Sequence, residues 1–278
     1  GSWLHDGTGI ASEQGAGVGW NGLADWEHMD VLRTRLLNFN YTLIDQFYGN
    51  NGATATDVTN ALNAGRGILN YCGHGGTGGW ATTGFGSTHV NNLTNDYKLP
   101  FIHSVACVNG NFTGTTCFAE DWLRATNGGD PTGGVAMYAS SINQSWAPPM
   151  VAQDYSIQHL VDVDYYTLGA LWYNGSCAMI DIKGQAGVDM FMTWHIFGDG
   201  SLSYRTDSPG SMSVTHDPGI SSGQTTFFVN TGVVGALVCL SCPGEIVASG
   251  VTNINGQVYL SLPSTINCPI MTLTVTAY

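Results

Sequence analysis

Two short apolar runs in this chain end abruptly in polar chemistry. GILNYCGHG (67–75) closes on His74 between two glycines, and LPFIHSVAC (99–107) closes on Cys107. Brief apolar runs bounded by turn formers predict buried strands, so strands are expected to end at Tyr71 and to span Phe101–Ala106. GVAMYA (134–139) predicts a third. Between them the apolar period changes. Leu32, Leu36 and Leu37 follow an acidic opening turn and predict a helix over Asp25–Asn38. Val58 and Leu62, with Gly65 beyond them, predict a second helix over Ala53–Asn63. Gly75–Thr88 reads as a long Gly/Thr-rich loop leading to a short helix near Asn91. Phe118–Ala125 is helical and is closed by Asn127-Gly128-Gly129, and residues 151–192 are mostly helical. Short apolar strands alternating with helices imply an α/β fold with a mainly parallel sheet flanked by helices.

The pattern changes after Ser203. Short alternating runs at Met212–Thr215, Thr225–Val229, Val233–Leu240, Glu245–Ala248, Gln257–Leu262 and Met271–Tyr278 are separated by turn formers such as Asp217-Pro218-Gly219 and Asn255-Gly256. They predict a small all-β sandwich of about seven strands, of immunoglobulin type. The expected domains are residues 1–207 and 208–278, with the boundary in Thr206–Gly210.

Open α/β sheets place their chemistry beyond the carboxyl ends of their strands, where His74 and Cys107 would both stand. A thiol and an imidazole brought to one sheet edge make a nucleophile and its base, which predicts a cysteine peptidase. Free cysteines are also among the most buried residue types, so the competing reading of Cys107 is a structural cysteine; that of His74 is a satisfied strand-end histidine.

Composition narrows the partners. Seven Lys and Arg against twenty Asp and Glu give a net charge of −13. That argues against nucleic-acid binding, which needs a basic face, and against an anionic membrane surface. No apolar run approaches the roughly 20 residues of a membrane span. The chain opens Gly1-Ser2 without a leader pattern, which reads as a mature fragment. Seven cysteines leave at least one thiol free. For Cys239-x-x-Cys242 no second Cys or His pair supports a metal knuckle. A bridge from Cys268 to Cys239 or Cys242 is the better expectation in an exported protein. His28, His89, His103, His159, His195 and His216 show no metal-ligand spacing and read as structural or solvated.

The sequence resembles the gingipains, bacterial cysteine peptidases of caspase-like fold. The resemblance is carried by Gly73-His74-Gly75, Trp80, FGSTHV (85–90), LPFI (99–102), VACVNG (105–110), CFAE (117–120), SINQSWAPPM (141–150) and Phe197-Gly198-Asp199, and it covers nearly the whole chain. It implies that Cys107 is the nucleophile and His74 the general base and acid, with the main-chain N–H groups of Gly75 and Cys107 forming the oxyanion hole. It also implies that Asp25 is the carboxylate of the S1 pocket, which receives the substrate side chain P1, with Trp146 and Met150 over that side chain. Read from the sequence pattern alone, Asp25 would instead be a first-turn helix residue or cap. A carboxylate orienting His74 is expected within IASEQG (10–15); ungapped alignment places Gln14 there, and a one-residue shift selects Glu13, which is taken as the third catalytic residue. Gingipain catalytic domains carry two α/β subdomains, of which this chain is expected to hold the second.

The expected activity is that of a secreted or cell-surface endopeptidase cutting protein and peptide substrates after Arg, with Lys second. It would need no organic cofactor. Structural Ca²⁺ is implied by the resemblance, with Asp162 and Asp164, or Asp199, as candidate ligands but no assigned site. The rival readings are a transpeptidase or maturation enzyme of the same fold, and a catalytically dead binding or adhesion module. Oligomeric state is left open.

Overall fold

The computed structural model describes residues 1–277 and divides the chain into two compact units, Gly1–Ser208 and Pro209 onward. The first unit contains the strands β1 (Asp6–Ala11), β2 (Leu43–Tyr48), β3 (Ile68–Cys72), β4 (Gly75–Gly76), β5 (Gly79–Trp80), β6 (Phe101–Val105), β7 (Thr126–Asn127), β8 (Asp130–Pro131), β9 (Ala136–Ser140) and β10 (Trp194–Phe197). Its helices are α1 (Asp25–Phe39), α2 (Ala55–Ala64), α3 (Ser87–Val90), α4 (Phe118–Arg124), α5 (Ala147–Val161), α6 (Leu168–Lys183) and α7 (Gln185–Phe191).

Six strands form one sheet in the order β10-β9-β6-β3-β1-β2; all neighbours are parallel except β10 on β9. Both faces are covered, as the apolar central strands require. On one face Met29, Leu32 and Leu36 of α1, Ile157 and Leu160 of α5 and Trp172 of α6 pack against Ile68, Phe101 and Tyr138. On the other, Val58 and Leu62 of α2 and Phe118 and Trp122 of α4 pack against Leu69, Tyr71, Ile102 and Met137. The expected α/β architecture is therefore present. The sequence pattern did not predict β1, β2 or β10. In β1 two of six positions are glycine, and β2 is an edge strand with Asp45-Gln46 at its centre, so neither reads as a continuous apolar run.

The second unit contains β11 (Thr215–His216), β12 (Thr226–Asn230), β13 (Leu237–Cys242), β14 (Glu245–Val251), β15 (Gln257–Ser261) and β16 (Thr272–Thr276). They form two antiparallel sheets, β11-β12-β15 and β14-β13-β16, around Phe227, Val229, Val238, Leu240 and Leu260. Six strands stand where about seven were expected, and Met212–Val214 lie outside them. Tyr278, the end of the last expected strand, lies outside the described residues. Of the two bridges left open for Cys268, the one formed is to Cys242, and Cys239 keeps a free thiol.

Beneath the sheet on the α1–α5 side lies a buried polar cluster. The Gln153 amide nitrogen is 3.2 Å from Asn70 Oδ1, Tyr71 O and His103 O, and its Oε1 accepts from His28 Nε2 at 3.2 Å. Neither ring nitrogen of His103 has a partner among the described residues. Burial lowers His28 from 6.5 to about 4, against the pull of Asp154, and burial with the nearby His28 lowers His103 to about 3. Both rings are neutral in the folded protein at pH 7, whereas the unfolded chain takes up their protons below about 6.5. Their contribution to stability is thus complete above that pH and is lost as pH falls through 6.5 towards 4 and 3, at about 1.4 kcal/mol per pH unit for each ring. The urea midpoint is expected to fall between pH 7 and pH 5. His103→Phe, which removes one titrating ring and two orphaned nitrogens, is expected to raise the midpoint at pH 5 and to shrink the difference. An unchanged difference in the variant would show that other groups titrate.

Candidate active site

β3 and β6 are neighbouring parallel strands with Cys72 directly opposite Val105, and the Gly73 N–H donates to Val105 O at 3.0 Å as the last rung between them. His74 and Cys107 each lie two residues beyond those paired ends. The register therefore delivers both to the same level of one sheet edge, and both line one cavity with Asp25, Cys72, Gly73, Val105, Gln144, Ser145 and Trp146. His74 is exposed and Cys107 half-buried, so the pair is open to solvent.

The glycine-rich segment after His74 turns back as the β4–β5 ribbon. His74 O accepts from Ala81 N, and Trp80 N donates to Phe85 O, not to Gly75. Gly75 is thus at a non-hydrogen-bonded position of the ribbon and its N–H points away from β5. A Cβ on Gly75 would stand 2.8 Å from both the Ala106 Cβ and the Cys107 oxygen, so only glycine lets the ribbon approach the Cys107 turn so closely. The Cys107 N–H likewise donates to no group among the described residues. Two main-chain donors beside the thiol are left unused by the fold.

Side chains to which the sequence reading gave no role fasten this arrangement. Asn109 donates to Gly76 O at 2.6 Å and Gly79 O at 3.1 Å and accepts from Ser104 Oγ at 2.8 Å; Ser104 accepts from Trp80 Nε1 at 2.9 Å. Tyr71, stacked on Trp80 at 4.8 Å, donates its hydroxyl to His74 O at 2.6 Å. The imidazole segment and the thiol turn are thereby tied into one buried network. Val108, directly after the thiol, is held at φ +49 with its N–H donating to Ile142 O. A β-branched residue in that region is strained, at a cost of about 1–3 kcal/mol, and the network maintains it.

The partner of His74 is Gln14, not Glu13. The ring Nε2 lies 2.9 Å from Gln14 Oε1, whereas the exposed Glu13 side chain has no partner among the described residues. The physical reason is the turn at Ser12: its hydroxyl accepts from Gln14 N, and Gln14 O accepts from Asp25 N at 2.8 Å. These bonds orient residue 14 towards the ring. A glutamine fixes the ring but brings no charge to stabilise an imidazolium.

Asp25 is fully buried at the start of α1. Its carboxylate accepts from Ser12 Oγ at 2.5 Å and Trp146 Nε1 at 2.9 Å. The helix is capped by Glu27, which accepts from Ala24 N at 2.8 Å, so the Asp25 side chain is not used as a cap. Burial raises its pKa, opposed by donors on Ser12, Trp146 and Cys72 and by His74. The Cys72 thiol is held protonated by burial and then by the Asp25 charge. Gly15, at φ +88, backs this group: a Cβ there would stand 2.4 Å from Trp146 Nε1 and 2.9 Å from Asp25 Oδ1. Trp146 also meets His74 edge-on at 5.3 Å. Met150 departs from expectation. It is fully buried within α5, its sulfur accepts from Trp20 N, and it does not line the cavity. Its place in α5 puts it in the core cluster with Met29 and Ile157.

The candidate calcium ligands have protein partners. Asp162 accepts from Gln158, Asp164 holds His159, and Asp199 accepts from the N–H and hydroxyl of Ser201. No three His, Cys, Asp or Glu groups converge among the described residues. Nor is any helix among them long and apolar enough to cross a membrane.

Comparison with known proteins places the chain in a family. The profile of peptidase family C25 matches residues 1–205. Gingipain R2 of Porphyromonas gingivalis (strain ATCC 33277) is 40% identical over 282 residues, covering 99% of this chain and 38% of that protein. Gingipain R1 of the same species is 39% identical over 281 residues, covering 99% of this chain and 28% of the relative. The crystal structure of the Arg-specific cysteine proteinase gingipain R superimposes with a TM-score of 0.92 at 39% identity, covering 100% of this chain and 65% of that one. The chain thus spans well under half the length of these curated relatives.

Proposed function

The chain belongs to peptidase family C25, and from that premise we propose that it is a secreted cysteine endopeptidase that hydrolyses peptide bonds after arginine. The observation that carries the proposal is the shared cavity in which His74 and Cys107 stand at one level above the buried Asp25. The P1 guanidinium enters against the Asp25 carboxylate, which it can engage bidentately, with the Trp146 indole alongside. Cys107 Sγ, as thiolate, attacks the scissile carbonyl carbon, and the carbonyl oxygen takes up the negative charge between the unused N–H groups of Gly75 and Cys107. Collapse of this intermediate breaks the C–N bond and leaves a thioester on Cys107. His74, steadied by Gln14, gives a proton to the departing amine and then takes one from the water that hydrolyses the thioester. Ser12 and Trp146 hold the pocket carboxylate in place while the guanidinium is absent.

The test is a panel of peptides differing only at P1. Arg is expected to give the highest kcat/KM, Lys a lower one, and a neutral residue of similar length the lowest, with a separation of at least about a hundredfold between Arg and neutral. Equal rates across the panel would remove Asp25 from the pocket. Mass analysis of the products separates hydrolysis from transfer of the acyl group to an added amine, which is the outcome a transpeptidase would give.

A further inference from the structure

The segment that follows β3 is nearly all backbone. Residues 73, 75, 76, 78 and 79 are glycine, and glycine loses more conformational freedom on ordering than any other residue. For the Gly75 N–H to act together with the Cys107 N–H, this soft segment has to be held from outside.

Asn109 supplies that hold. Its Nδ2 donates to Gly76 O at 2.6 Å and to Gly79 O at 3.1 Å. Those two residues form the rung of the β4–β5 ribbon next to Gly75 and Trp80. Nδ2 also lies 3.0 Å from where a Cβ on Gly75 would stand. The outer turn of the ribbon is held separately, by Phe118 N on Thr77 O and Ser87 N on Gly78 O.

The amide has only one way to face. An indole N–H can donate but not accept. Ser104 Oγ therefore accepts from Trp80 Nε1 at 2.9 Å and gives its own proton to Asn109 Oδ1 at 2.8 Å. With Oδ1 turned to Ser104, both amide protons face the ribbon. Trp80, Ser104 and Asn109 are all buried, where such a relay is stronger than in water. The Asn109 main chain is anchored as well: its oxygen accepts from Ala119 N at the start of α4, and the next N–H, of Gly110, donates to Ser140 O in β9.

We propose that Asn109 is a positioning residue for the reaction: it ties the Gly75 N–H to the frame that carries Cys107, so that both donors meet the oxyanion together. The inference rests on the peptidase reading above and deepens it. Asn109 touches neither the Asp25 pocket nor the imidazole, so it acts on the charge that develops in the transition state and not on side-chain recognition.

The experiment compares wild type, Asn109→Ala and Ser104→Ala in three measurements. With an Arg peptide, Asn109→Ala is expected to lower kcat about a hundredfold and to leave KM within about threefold. A peptidyl argininal joins the Cys107 sulfur to its carbonyl carbon and takes the thiol proton on its oxygen, so it reports the same donors; its affinity is expected to fall in step with kcat. Calorimetric binding of agmatine, which reads the Asp25 pocket alone, is expected to stay within about twofold. Ser104→Ala keeps the amide but frees it to turn, and is expected to show the same split with a loss of about tenfold; it carries the comparison if Asn109→Ala does not fold. An unchanged kcat overturns the proposal. So does a parallel loss of kcat, agmatine binding and thermal midpoint, which would make Asn109 a structural residue only. A wild type that neither turns over the peptide nor binds the aldehyde removes the peptidase reading itself, and this inference with it.

Discussion

Replacing Cys107 with alanine is expected to reduce hydrolysis of an Arg-Xaa peptide to background, a loss of about 10⁴-fold or more in kcat. The remaining apparatus stays in place, because nothing in the fold relies on the thiol: Cys107 is half-buried and neither its sulfur nor its N–H is bonded to another group among the described residues. The pocket carboxylate and the two unused main-chain donors therefore survive and are expected still to bind substrate, and KM is expected to change far less than kcat. The thermal midpoint should stay within the error of the measurement. Labelling with an arginyl chloromethyl ketone provides the second readout. In the wild type the adduct is expected on Cys107 alone, with the exposed Cys177 as the internal control for nonspecific alkylation and Cys72 and Cys117 shielded by burial. Retained hydrolysis in Cys107→Ala, or an adduct confined to Cys177, would remove Cys107 from the mechanism.

Asp25→Asn is expected to lower kcat/KM for the Arg peptide by about 30- to 4,000-fold, the range that corresponds to about 2–5 kcal/mol for removing one member of a buried charge pair. A peptide with a neutral P1 residue should change by no more than about threefold, since its side chain gains nothing from the charge. The same substitution is expected to stabilise the free protein. Burial raises the folded-state pKa of Asp25, so the folded protein holds this proton more tightly than the unfolded chain. The associated stability is present below the ordinary carboxylate value of 3.8 and is lost as pH rises through the folded value. At neutral pH the charged pocket is a burden that the ligand relieves. Asn is isosteric, can still accept from Trp146, and can donate to the Ser12 oxygen, so the denaturation midpoint at pH 7 should rise while Arg turnover falls. A variant that loses both activity and stability would mean that Asp25 acts mainly as a structural anchor.

How far the sequence revealed this site depended on whether a residue's role follows from local pattern. His74 and Cys107 were legible because each closes a continuous apolar run, and the strand pairing then fixes their common level without further information. Helix α1 was legible from its leucine spacing, almost to its ends. β1 was not, because Gly7 and Gly9 interrupt the apolar signal in a strand buried by its neighbours on both sides. Gln14 could not be separated from Glu13, since a turn held by Ser12 and Asp25 decides which of two adjacent side chains faces the ring. The depth of Met150 was not legible, because it depends on how α5 rotates against the sheet. Asn109 lay in plain view in VACVNG, yet a lone asparagine in a turn carries no sign of the two carbonyls it will meet, 30 and 33 residues earlier in the chain.

The close fit behind the pocket limits how this chain could change over generations what the pocket accepts. Every amino-acid substitution reachable by a single base change from a glycine codon carries a Cβ. At Gly15 that atom would fall 2.4 Å from the indole nitrogen of Trp146 and 2.9 Å from the Asp25 carboxylate, separating the two groups that define the pocket wall. Drift at position 15 therefore leads to loss of the pocket, not to a new specificity. A lineage adapting to other substrates would have to alter Asp25 or the strand-to-helix segment that carries Gln144 and Trp146.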